Sequence, residues 1–246
     1  MSEIAIRYAG DRAILVEFEN EISIEVNSKV RSLKFSLEQN PFPGMKELIP
    51  TYRALLVQYD PRVIRAARVI EEVRDCLGHL SSVSLPKAII TEIPVIYEKE
   101  FAEDIEEIAR LENKTVEEII RIHSQSDYFV YMLGFAPGHP YTARFENPFS
   151  FKRRETPRVR IPGGSIVVQL ALSDIIPFDQ PCGWNIIGTT PILACDYRKE
   201  NPFLLQAGQW IRHIPIGREE YFDIKRQVEL GTYVCRTYEK EVQSWE

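Results

Sequence analysis

The sequence predicts an α+β domain over residues 1–87 followed by a mainly-β domain over 88–246. Three observations carry that reading. Up to about residue 80, apolar stripes of helical period alternate with short β-rich runs. Pro86 and Pro94 then force an extended segment, "LPKAIITEIPVIYEKE", that no helix can cross. Beyond Tyr128 helical periodicity fades into many short β-rich runs punctuated by Pro and Gly, the pattern of a closed or nearly closed β-barrel. A chain of 246 residues is long enough for one large or two modest domains, at about 150 residues each.

The elements follow in order. "IAIRYAG" and "RAILVEFE" flank Gly10-Asp11 and read as a hairpin. Ile22, Val26, Val30, Leu33 and Leu37 recur at three and four residues and form one helical stripe, stopped by "NPFPG". "KELIP" and "RALLVQYD" are strands, and a second helix is expected from about Val63 to Leu80, with Val63, Ala67, Ile70, Val73 and Leu77 on one face. The order β-β-α-β-β-α describes one sheet with two helices. In the second domain a helical segment is expected at 102–124, where Thr115 and Glu118 match a capping box. Strands are expected in "YFVYMLGF", "VRIP", "SIVVQLAL", "WNIIG", "ILACDY" and "QWIRHIPI", and a last helix from about Glu219 to Glu229.

Composition narrows the function classes. The chain is 44% hydrophobic and 27% charged, and it has no apolar run of the roughly 20 residues that span a bilayer. The N-terminus has none of the parts of a secretory signal, so a cytoplasmic protein with no membrane association is expected. A net charge of −6 argues against nucleic-acid binding. Cys76, Cys182, Cys195 and Cys235 have neither disulfide-framework nor zinc spacing, and the four histidines form no HxH, HxxxH or HExxH pattern, so no metal site is expected. Neither GxxxxGK[ST] nor a GxGxxG after a strand is present, so any ATP chemistry must come from another chain.

Two places invite chemistry. In "APGHPY" the residues Pro137, Gly138 and Pro140 define a turn whatever lies between them, yet His139 occupies that position. An imidazole there is a candidate general acid/base or substrate contact, beside the plainer reading of an incidental turn residue. His123 and His213, on a helix face and in a strand, read as structural. The second place is "KRRETPRVRIPGGS", where Lys152 to Arg160 holds five bases and one acid, against nine acids and four bases from Glu98 to Arg121. Strand alternation turns Arg158 and Arg160 to the same side, and the turn Gly163-Gly164-Ser165 offers backbone N–H groups, so these residues with Trp184 form a candidate site for a small carboxylate or phosphate. The plainer readings are a solvated strand, a glycine turn and a core tryptophan.

Six ordered segments then carry a resemblance over nearly the whole chain: "NPFPGMKELIPTYRALLVQYDP", "EIPVIYEKEF", "IIRIHSQSDYFVYMLGFAPGHPY", "TPRVRIPGGS", "PCGWNIIGTTPI" and "NPFLLQAGQWIRHIPI". In these the chain resembles the family of the 5-oxoprolinase B subunit, the Kip-type inhibitor of a sensor histidine kinase and allophanate hydrolase subunit 1, the carboxyltransferase subdomains C and D. The resemblance implies a cyclophilin-like barrel for the second domain. It implies a role in an ATP-using complex that converts 5-oxo-L-proline to L-glutamate, with a companion C-like barrel protein and a LamB-type subunit as partners. ATP would be used by the complex, with no cofactor held by this chain alone. A kinase inhibitor acting by docking and a carboxyltransferase or allophanate hydrolase subunit are the other roles the family implies. The chain also departs from the family's usual pattern: "PGHPYTAR" stands where PGFPYLGG is usual, which puts His139 at an aromatic position. "IVVQLALSDIIPF" replaces a glycine-rich stretch, Cys182 replaces a glycine, and Gln209 stands where aspartate is common.

Overall fold

The computed structural model describes residues 4–143 and 149–240. Arg144, which ends the "PGHPYTAR" segment, lies outside the described residues. The chain divides into two compact units, Met1–Pro86 and Lys87–Glu246.

In the first unit β1 (Ala5–Tyr8), β2 (Ala13–Glu17), β3 (Met45–Pro50) and β4 (Ala54–Tyr59) form an antiparallel sheet in the order β1-β2-β4-β3. Gly10, at φ +75°, closes the first hairpin in a conformation that suits glycine. Helices α1 (Ile24–Gln39) and α2 (Ala66–Leu77) join one apolar core with the strands. Ile14 faces Val57 and Val16 faces Leu55 across β2 and β4, so one sheet face supplies the core with Val26, Val30, Leu33 and Leu37 of α1 and Val69 and Val73 of α2. Both helices start later than their periodicity suggests. Ser23 caps α1 by accepting from Val26 N–H at 3.2 Å, which leaves Ile22 outside and exposed. Before α2, Asp60 accepts from the backbone and guanidinium of Arg62, each at 3.0 Å, and this turn leaves Val63 exposed.

The second unit contains β5 (Ile89–Val95), α3 (Ile105–Leu111), α4 (Val116–Ser124), β6 (Asp127–Leu133), β7 (Pro140–Ala143), β8 (Arg158–Ile161), β9 (Ser165–Gln169), β10 (Leu172–Ile175), β11 (Gln180–Cys182), β12 (Asn185–Thr189), β13 (Trp210–Pro215), α5 (Arg218–Glu229) and β14 (Thr237–Glu239). Eight strands form a sheet in the order β12-β9-β10-β7-β6-β13-β5-β14, and β8 and β11 form a separate pair. All pairings are antiparallel except β5 with β13. Among the described residues this ladder has two ends, β12 and β14, and is not a closed cylinder. One isolated bridge joins Ile96, just past β5, to Thr189 at the end of β12, with hydrogen bonds of 2.9 and 3.0 Å. Gly188 permits that approach, because a Cβ there would lie 2.6 Å from Val95 Cγ1.

"SIVVQLAL" is two strands, not one, because the chain reverses through Leu170 at φ +53°. "ILACDY" forms no strand and contributes only a bridge from Cys195 to Phe203. The capping box is present: Glu118 N–H donates to Thr115 Oγ1 at 3.2 Å and Thr115 N–H to Glu118 Oε2 at 2.8 Å. Ile166 and Val168 of β9 join the main core with α3, α4 and α5, whereas Val167 joins a smaller cluster with Ile161, Ile176, Ile186 and Trp184. Both faces of β9 are therefore buried, which explains its unbroken apolar run.

Candidate functional site

Strand β10 divides its polar side chains between these two faces. Ser173 pairs in register with Val168 and Asp174 with Val167, so Ser173 turns toward the main core and Asp174 toward the smaller cluster. Each meets a buried histidine.

On the Asp174 side stands His139, which is 7% exposed. Its loop is fixed by backbone hydrogen bonds: Gly134 N–H donates to His139 C=O at 3.0 Å and His139 N–H to Ala136 C=O at 3.0 Å. Gly138 sits at φ +75°, and a Cβ there would lie 2.8 Å from both Ala194 O and Cys195 Cβ, so conformation and space both require glycine. Phe135 adopts φ +64° although it is not glycine, is 74% exposed, and sets its ring edge-on to His139 at 5.8 Å between centroids. Tyr141 also lies against the imidazole, its ring tilted, at 5.3 Å.

The Gln180 side-chain amide donates to His139 Nδ1 at 3.2 Å, which places the ring proton on Nε2, and Nε2–H donates to Asp174 Oδ2 at 3.4 Å. Asp174 Oδ1 accepts from Thr142 N–H at 2.9 Å. Burial raises the Asp174 carboxyl above its ordinary pKa, opposed by His139 and the Thr142 amide. Burial also raises the Tyr141 phenol, with the Asp174 charge adding to it. The arrangement is an imidazole oriented by an anchored carboxylate, its second nitrogen engaged by the amide of half-buried Gln180.

On the opposite face His123 is bonded at Nδ1 to the Tyr97 hydroxyl and at Nε2 to the Ser173 hydroxyl, both at 2.7 Å. His213 stacks on it at 4.1 Å and is fully buried, and burial pushes its pKa down to about 3. This pair belongs to the core. His79 is exposed at the end of α2. Among the described residues no three His, Cys, Asp or Glu side chains gather in a metal-binding group, and no helix is long and apolar enough to cross a membrane.

The basic ribbon is distributed among carboxylates of the chain itself. Arg158 donates twice to Asp104, at 3.0 and 2.7 Å, and Arg154 donates to the same carboxylate at 2.8 Å. Arg160 pairs instead with Asp179, through Nε at 2.9 Å and through Nη2. The two side chains thus reach different partners. The amides of the glycine turn also have acceptors: Gly163 N–H donates to Asp179 Oδ1 at 2.9 Å, Gly164 N–H to Ile176 C=O at 2.7 Å and Ser165 N–H to Pro162 C=O at 3.3 Å. Gly164 is at φ +86°, where a Cβ would meet Thr190 O at 2.6 Å. Trp184 packs half-buried on the smaller apolar cluster. Of the candidate residues in the ribbon, Arg160 is linked to His139 through Asp179 and its neighbour Gln180. Sequence reasoning misses Asp174 and Gln180. The signal for Asp174 is a lone acid inside the apolar run "LALSDIIPF", where strand alternation leaves no solvent-facing side.

Comparison with known proteins places the chain in a family. The model of the carboxyltransferase domain, subdomain C and D, matches residues 4–205. The B subunit of the Bacillus subtilis 5-oxoprolinase is 34% identical over 232 residues, 90% of this chain and 97% of that protein. Among solved structures, TTHA0988 superposes with a TM-score of 0.74 at 31% identity, over 84% of this chain and 40% of that one. The Kluyveromyces lactis urea amidolyase matches 96% of this chain and 16% of its own length, with a TM-score of 0.75 at 19% identity, a likeness of fold alone. The chain therefore spans less than half of each of these two longer proteins. On the family match over residues 4–205 and the near-full-length relative, the chain belongs to the carboxyltransferase domain, subdomain C and D, family.

Proposed function

We propose that this chain is the B-type subunit of a cytoplasmic 5-oxoprolinase complex, which opens 5-oxo-L-proline to L-glutamate at the expense of ATP. The observation that carries this reading is the match to a 5-oxoprolinase B subunit over 90% of this chain and 97% of the relative. A lactam carbonyl is a poor electrophile, and phosphorylation of its oxygen by ATP supplies a leaving group. In this division of labour a companion C-like barrel protein and a LamB-type subunit complete the site and the complex holds the nucleotide, while this chain holds the small carboxylate substrate. The second unit is then an incompletely closed cyclophilin-like barrel, a reading supported by the bridge from Ile96 to Thr189. Arg160 is the best placed cation for the substrate carboxylate, because its pair with Asp179 is exposed and exchangeable, whereas Arg158 serves a buried aspartate.

The test is reconstitution. Co-expressed with the companion subunits, the chain should co-purify with them and the assembly should release glutamate from 5-oxo-L-proline only when ATP is supplied. The isolated chain should show neither ATP hydrolysis nor ring opening. Robust turnover by the chain alone, or an intact assembly inert towards 5-oxo-L-proline, would overturn the reading.

A further inference from the structure

The side chain that occupies His139 Nδ1 is itself a carboxamide. Gln180 presents an amide N–H to that nitrogen at 3.2 Å, the same donor that a lactam ring carries. The acceptor state of Nδ1 is not accidental, because Asp174 holds the ring proton on Nε2 and is in turn anchored by Thr142 N–H. A ring bonded at both nitrogens, 7% exposed and flanked by Phe135 and Tyr141, has one defined orientation. Gln180, by contrast, lies on the three-residue strand β11, paired with β8 at a register shift between Gln180 and Cys182. Such irregular short pairings re-aim side chains near functional sites.

We propose that His139 is the specificity-determining acceptor for the N–H of a small cyclic amide, and that the Gln180 carboxamide occupies that place until the ligand displaces it. The inference rests on the 5-oxoprolinase reading for the identity of the amide, 5-oxo-L-proline. It explains why an imidazole is useful at a position where the family usually has an aromatic residue: the ring keeps the flat shape and adds one oriented acceptor. It also limits the size of the effect. A site left with an unpaired buried acceptor rejects ligands that lack the N–H by large factors, but here Gln180 returns to satisfy Nδ1 when no N–H is offered. Discrimination between an amide and its oxygen analogue should therefore be about twofold to tenfold, the worth of a neutral hydrogen bond rather than of a buried orphan.

The experiment compares 5-oxo-L-proline with the lactone of the same ring, 5-oxotetrahydrofuran-2-carboxylate, which lacks the N–H but is no bulkier. Affinities are measured by calorimetry on the assembled complex, wild type and His139→Phe. The wild type should prefer the lactam by about twofold to tenfold, and His139→Phe should bind both ligands alike. An active wild-type complex whose preference survives in His139→Phe overturns the proposal and leaves the function standing. If the wild-type complex is inert, the function reading fails, and the proposal is decided by nitrogen NMR of the full chain titrated with 2-pyrrolidone. Movement of the His139 Nδ1 resonance by 2-pyrrolidone but not by γ-butyrolactone upholds lactam recognition, and an unmoved resonance refutes it. The same titration decides the matter should His139→Phe fail to fold.

Discussion

At the residue scale the two buried histidine environments make opposite use of one side chain. His139 is bonded at both nitrogens to groups that orient it, whereas neither nitrogen of His213 has a hydrogen-bond partner among the described residues. Burial lowers the pKa of His213 from 6.5 to about 3. The unfolded chain therefore takes up a proton below pH 6.5 that the native protein refuses until about pH 3, so this residue's contribution to stability is complete above pH 6.5 and declines as the pH falls through that window. The slope is about 1.4 kcal/mol per pH unit, so roughly 2 kcal/mol should be lost between about pH 6.5 and pH 5. His213→Phe keeps the stack on His123 and removes the proton. Urea denaturation at about pH 7.5 and pH 5 should show the variant losing about 2 kcal/mol less than the parent, and equal losses would contradict the assignment. The sequence marks His139 as unusual because its turn does not need a histidine. It does not reveal Asp174 and Gln180 as partners, because 35 and 41 residues separate them from His139 and only the strand register brings them together.

At the scale of elements, what is legible is what local pattern controls. The α1 stripe from Val26 to Leu37, the Thr115 capping box and the final helix follow from spacing and capping chemistry alone. The hairpin between β9 and β10 is hidden because Leu170 takes a left-handed conformation usually left to Gly or Asn, so no turn signal marks it. The fate of the basic ribbon is hidden for another reason: charge along the sequence does not say which acid will fold against it. Asp104 is 3% exposed and stands before α3, where it accepts from Arg154, from Arg158 and from Ile186 N–H at 2.7 Å. That carboxylate ties the start of α3 to β8 and β12. Asp104→Asn keeps the shape but takes the buried counter-charge from Arg154 and Arg158 and leaves them only the exposed Glu107 and Glu103, so it should cost roughly 3 kcal/mol. Arg160→Gln, which breaks only an exposed pair, should change stability by less than about 0.5 kcal/mol. Chemical denaturation of both variants checks the contrast, and similar effects would show that Asp104 is not an anchor.

At the scale of the molecule, each unit has an apolar core of its own, and residues 83–88 between the 3-10 turn Leu80–Ser82 and β5 carry no regular structure. A segment of that kind, with Leu85 and Pro86 in an extended path, offers proteases an accessible backbone. Limited proteolysis should therefore cut between Val83 and Lys87 before it cuts elsewhere among the described residues. The stronger form of the claim is thermodynamic. The four-stranded sheet with α1 and α2 closes around Ile14, Val16, Leu33, Leu55, Val57 and Val73, all with no exposed surface, so residues 1–86 contain a complete core. A domain of this size buries only about 60% of the surface that its unfolded chain exposes, and its stability is correspondingly modest. Expressed alone, residues 1–86 should give dispersed NMR spectra and a single cooperative urea transition with a slope of about 1 kcal/mol/M. A fragment that is unfolded in buffer, or a protease-resistant core that runs through residues 83–88, would mean that the first unit depends on the second for its fold.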